Sequence, residues 1–109
     1  MQHGLALQVR QGLKPDNPHL LQQYVLQQRT DAVACGTTGE QTRIHLTTYH
    51  LLLETICDSC VARHWRQLCL EHIHSPLLEL KRLAKSEQEQ ARLRTLHQHL
   101  NTLCNYFLK

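Results

Sequence analysis

Two stripes of apolar residues, each advancing by alternating steps of three and four positions, constrain the fold of this chain more than any other feature. The first stripe consists of Leu46, Tyr49, Leu53, Ile56 and Cys60. The second stripe consists of Leu93, Leu96, Leu100, Leu103 and Phe107. Because an α-helix turns once in about 3.6 residues, this spacing places all members of a stripe on one helix face. Each stripe therefore predicts a long amphipathic helix.

The rest of the composition leaves little from which to build a β-sheet. Of the 109 residues, 21 are Leu, a strong helix former, whereas only four are Val and three are Ile. A chain of this length accommodates one hydrophobic core. We therefore expect residues 1–109 to form a single all-α domain, a small bundle of three to four helices.

Short polar motifs indicate where the first helices begin. Pro18 stands in the first turn of a helix that Asp16 or Asn17 can cap. A second helix is expected to begin near residues 39–41, because Thr37 with Glu40, and equally Thr38 with Gln41, has the pattern of a capping box.

The C-terminal half predicts a pair of helices that lie side by side. Ser86 and Glu89 form another capping-box pattern, which opens the last helix. Pro76 predicts a break or a kink at residues 74–76 of the preceding one. Since a short connection favours antiparallel neighbours, we expect a C-terminal helical hairpin.

The N-terminal segment lacks a sustained apolar period. Residues 1–16 contain Gly4, Gly12 and the pair Lys14-Pro15, all of which weaken a helical pattern. The sequence therefore predicts a loosely ordered arm over residues 1–16.

Charge and hydropathy argue against two classes of partner. The formal net charge is +3, and Lys and Arg are scattered along the chain rather than clustered, so nucleic acid is not the expected partner. No apolar run approaches the roughly 20 residues that span a bilayer, and no secretory signal is visible. We therefore expect a cytoplasmic protein whose five Cys residues are free thiols.

One cluster of residue types deserves consideration as a metal site. Cys57, Cys60, His64 and Cys69 offer thiolate and imidazole ligands, with His72 and His74 shortly after them. A metal- or thiol-responsive regulator is the alternative function that this cluster supports. The spacing differs from that of a zinc knuckle, and the segment lacks the glycines of one, so a core stripe with partly exposed histidines is the favoured interpretation.

The sequence offers no convincing catalytic site. A nucleophilic Cys needs a positioned base and a turn that presents the thiolate, and no glycine-rich turn of that kind or phosphate-binding motif is found. We therefore expect a protein that is not an enzyme and that requires no cofactor.

Two segments, Tyr49–Ile56 and His64–Leu77, resemble small helical proteins of Pseudomonas that act as antiactivators of quorum sensing. The resemblance covers about residues 40–85. It implies a protein that binds a LuxR-type transcription factor such as LasR, covers its dimerisation surface and prevents transcription activation.

Leu is abundant between residues 46 and 83, and we expect so short a chain to bury only part of this apolar surface in its own core. This favours a homodimer and a partner-binding surface. We predict that the first stripe binds the partner and that the second forms the core. The predicted partner-binding residues are Leu46, Tyr49, Leu53, Ile56 and Trp65.

Overall fold

The computed structural model describes the backbone of residues 2–108 and the side chains of residues 4–108. This part of the chain contains five α-helices and no strand. The helices are α1 (Gln2–Gln11), α2 (His19–Ala34), α3 (Thr38–Ile56), α4 (Arg63–Leu83) and α5 (Glu87–Phe107). The predicted all-α class is confirmed. The described residues form five helices, whereas three to four were expected.

Helices α3 and α4 form an antiparallel pair at the centre of the molecule, and their mutual packing is the most extensive of any two elements. Arg66 near the start of α4 contacts Ile56 at the end of α3, whereas Leu80 and Leu46 line the same cavity at the opposite end. The core residues that are fully buried include Tyr49, Leu52, Ile56, Trp65, Cys69 and Ile73. Helix α2 packs on this pair from one side.

The N-terminal segment forms helix α1, so the predicted loosely ordered arm is wrong for residues 2–11. Val9 is fully buried, and its carbonyl accepts a hydrogen bond of 2.9 Å from the indole nitrogen of Trp65. Arg10 forms an ion pair of 2.8 Å with Asp58. These contacts come from residues about 50 positions away, which is why local sequence patterns did not predict the helix.

The predicted capping motifs are present at two helix starts. The side chain of Thr37 accepts a hydrogen bond from the backbone N–H of Glu40, and Ser86 and Glu89 form a reciprocal capping box. Helix α2 differs, because its capping position is Pro18 and no side chain caps it.

Helix α4 is continuous through Pro76, so of the two predicted alternatives at residues 74–76, a break or a kink, the break is wrong. Pro76 lacks a backbone N–H and removes one helical hydrogen bond. On either side of it, Ile73 and Leu77 are buried in the core, and this packing stabilises the helix across the proline.

Gly12 ends α1 with a conformation that L-residues rarely adopt. Its φ is +59°, and the N–H of Leu13 reaches back to the carbonyl of Gln8 in a Schellman-type cap. A Cβ atom placed here would lie 2.8 Å from Cγ1 of Val61 and 3.1 Å from Cδ1 of Trp65. Glycine therefore permits both the turn and the close approach of α1 to the core.

We predict that Gly12→Ala lowers the free energy of unfolding by more than about 1–2 kcal/mol, because the left-handed strain adds to the steric overlap. Urea denaturation followed by circular dichroism measures this change. Gly39→Ala is the matched control: no atom lies within 4 Å of its Cβ position, and Ala is favoured in a helix. Equal stability of the two variants would contradict the role assigned to Gly12.

Candidate functional site

The hairpin of α4 and α5 is fastened at the end where α4 begins and α5 ends. Arg66 is buried, and its Nε donates to the carbonyl of Ile56 at 2.8 Å while Nη2 donates to that of Phe107 at 2.9 Å. Arg63 donates to the carbonyl of Leu108 at 3.0 Å. Helix C-termini carry unsatisfied carbonyls and partial negative charge, so these guanidinium groups stabilise the ends of α3 and α5 together.

The rest of α5 is attached to the bundle less extensively. The Tyr49 hydroxyl donates to the carbonyl of Leu96 at 2.9 Å, and Leu100 is the buried residue of the described part of α5. Helix α4 packs far more extensively against α3 than against α5. The N-terminal half of α5 therefore lies beside α4 without closing the space between them.

That space is a groove of about 780 Å³ between the two helices. Most of the surface that lines this groove is apolar. One of the lining residues is Leu78, which is 65% exposed. The residues that line it are His74, Leu77, Leu78 and Lys81 of α4 and Gln90, Leu93, Arg94 and His97 of α5. Two of these side chains carry a permanent positive charge, and none is acidic.

A second cavity lies on the other side of α5, between α3, α4 and α5, and has a volume of about 70 Å³. Leu46, Leu80 and Leu96 are among its lining residues. Since one water molecule in the liquid occupies about 30 Å³, this cavity is too small for an organic ligand. The α4–α5 groove is therefore the candidate functional site.

The structure corrects the predicted partner-binding face. Tyr49, Ile56 and Trp65 are fully buried, Leu53 is 7% exposed, and Leu46 is half-buried in the small cavity. The side chains of Tyr49, Leu53, Ile56 and Trp65 therefore pack in the core of this same chain, whereas Leu46 keeps part of its surface. The prediction was wrong because a 3,4-spaced stripe identifies a helix face but not the surface that this face meets.

The second stripe was predicted to form the core, but the first stripe supplies more of it. Most of the first stripe lies in the core, whereas the second is largely half-buried, with Leu93 lining the open groove and Leu100 buried. The second stripe therefore both attaches α5 to the bundle and contributes to an accessible apolar surface.

The residues proposed as metal ligands do not form a site. Cys60 is exposed, Cys69 is fully buried, and His64 contacts the carbonyl of Pro15 at 3.1 Å. Among the side chains of residues 4–108, no group of three or more His, Cys, Asp or Glu residues is positioned to bind a metal ion.

The electrostatics of four thiols, those of Cys35, Cys57, Cys69 and Cys104, oppose nucleophilic chemistry. Burial raises the pKa of Cys69 to about 12, and it also raises the pKa of Cys57 and that of Cys104. For Cys35, desolvation and the nearby Glu40 carboxylate raise the pKa. A raised pKa reduces the thiolate fraction at neutral pH, whereas a reactive cysteine requires a lowered one.

The groove residues were missed because their basic members resembled a solvated helix surface. Lys81 follows Leu78 by three residues, and Arg94 and His97 have the same spacing, so each pair lies on one helix face. Combining this spacing with the predicted antiparallel hairpin would have placed the two basic faces opposite each other.

In the described part of the chain, no helix combines the length and the apolar character that crossing a membrane requires. No protein-family model, curated protein or solved structure matches the sequence or fold of this chain.

The reassignment of the core predicts different effects for two leucines. Leu53→Ala should lower the free energy of unfolding by about 2–5 kcal/mol, because it removes buried methyl groups and leaves a cavity. Leu78→Ala should change it by no more than about 0.5 kcal/mol, because Leu78 is 65% exposed. Urea denaturation of both variants measures the difference, and a Leu53→Ala variant as stable as the wild type would contradict the assignment.

Proposed function

We propose that this chain is a protein-binding module without enzymatic activity, and that it binds a helix of a transcription factor in the α4–α5 groove. The observation that carries the proposal is an open apolar groove between two helices, with exposed Leu78 on one wall and half-buried Leu93 on the other.

The shape of the groove favours a polypeptide over a small molecule. Sites for small molecules usually enclose most of the ligand and direct several polar groups at it. This groove is open to solvent along the helix pair, and its two permanently charged residues, Lys81 and Arg94, are exposed. An apolar surface together with exposed charges is typical of grooves that receive an amphipathic helix.

The partner class comes from the resemblance to quorum-sensing antiactivators of the QslA type. One resembling segment, His64–Leu77, contributes His74 and Leu77 to the groove. We propose a LuxR-type receptor such as LasR as the partner. Binding of its dimerisation helix in the groove would compete with receptor dimerisation and so reduce binding to operator DNA.

The test is binding of the full chain to a purified, ligand-bound LuxR-type receptor, measured by isothermal titration calorimetry, with fluorescence anisotropy of operator DNA as the functional readout. Wild-type chain should bind the receptor and displace it from DNA. Leu78→Glu should weaken binding at least about tenfold, because a carboxylate would lie in the apolar contact.

Leu26→Glu on α2 is the matched control, since Leu26 is 62% exposed and lies outside the groove. It should bind as the wild type does, and the thermal unfolding of both variants should match that of the wild type. Light scattering on the same samples measures the predicted homodimer. A receptor that the wild type does not bind, or that Leu78→Glu binds equally well, would overturn the proposal.

A further inference from the structure

We propose that the α4–α5 groove is specific for an acidic amphipathic helix, one whose apolar stripe is flanked on both sides by Asp or Glu. This inference rests on the proposed function in placing the partner in the groove. It adds the chemistry of the partner segment, which the fold alone does not specify.

The two permanently charged residues that line the groove are both positive, Lys81 on α4 and Arg94 on α5. The acidic residue nearest to Lys81 in sequence, Glu79, forms an ion pair of 3.0 Å with Arg82 and does not line the groove. An occupant with carboxylates at its edges would therefore meet one cation on each wall.

The arrangement of these charges also sets where the carboxylates must lie. Leu77 and Leu78 on α4 and Leu93 on α5 form the apolar part, and one permanent cation lies on each helix. An occupant helix placed between them needs an apolar stripe towards the floor and an acidic residue on each side of it. Opposite charges at such a rim increase both specificity and the rate of association.

The dimensions of the groove match a short helical segment. Residues 74–81 of α4 line it, and at 1.5 Å per residue they extend about 10.5 Å, which is about two helical turns. Two turns present apolar residues at positions i, i+3 or i+4, and i+7.

A second copy of this chain fits the groove less well. Helix α2 exposes two large apolar residues, Leu26 and Val33. Its charged residues, Arg29 and Asp31, cancel each other, so the helix has no formal net charge when its histidine is neutral. The whole chain carries a formal net charge of +3, so two copies repel at long range. Charge complementarity therefore favours an acidic partner over self-association.

The test compares two synthetic 16-residue helical peptides with identical leucine stripes at i, i+3, i+4 and i+7. One peptide carries Glu at the flanking positions, and the other carries Lys. Fluorescence anisotropy with the full chain should show that the Glu peptide binds at least about tenfold more tightly than the Lys peptide. This preference should decrease between about 0.05 M and about 0.3 M salt, because the charges lie at an exposed rim.

The charge-reversed variant Lys81→Glu/Arg94→Glu should invert the preference, so that the Lys peptide binds more tightly. The control Lys14→Glu/Arg29→Glu changes the net charge by the same amount at exposed positions outside the groove and should keep the wild-type preference. Circular dichroism establishes that both variants retain the helical content of the wild type.

Equal binding of the two peptides, or the same change of peptide preference in both double variants, would overturn the inference. Tighter binding of a DNA duplex than of the Glu peptide would also overturn it, as would a dimer of the chain that the Glu peptide does not displace. The receptor experiment is independent of these outcomes. If the Glu peptide binds the groove as described but no LuxR-type receptor binds, the proposed partner is wrong and the acidic-helix specificity stands.

Discussion

The buried guanidinium of Arg66 is the interaction on which the arrangement of the C-terminal half depends. It satisfies carbonyls at the ends of both α3 and α5, Ile56 and Phe107, and so connects the last helix to the central pair. A buried charge is costly unless its hydrogen bonds are satisfied, and removing the group would leave carbonyl groups at two helix ends without their donors. The position of α5 therefore follows from a polar contact as much as from its leucines.

This attachment explains why the molecule has a groove. Arg66 fastens the C-terminal end of α5, and the Tyr49 hydroxyl binds the Leu96 carbonyl further along. Beyond that point Leu93 lies beside α4 in an open apolar space instead of a closed core. An ordinary hairpin would bury its leucine stripe completely, whereas here the same stripe both attaches the helix and leaves an open apolar surface.

The sequence was sufficient for features that depend on neighbours along the chain. The capping box of Ser86 and Glu89, the cap at Thr37 and the two amphipathic stripes all follow from local spacing. What each stripe faces depends on tertiary packing, so the first stripe was wrongly assigned to a partner. Helix α1 was missed for the same reason, since its burial depends on distant Trp65. The burial of Arg66 was not predicted, because nothing local distinguishes a buried arginine from a solvated one.

If a partner helix binds between α4 and α5, titration with the Glu peptide should change the amide chemical shifts of the residues that line this groove. The largest changes should occur at residues 74–81 and 90–97, with small changes at buried Tyr49 and Ile56. Changes concentrated instead on α2 or on α3, with residues 74–81 and 90–97 unaffected, would contradict binding in this groove.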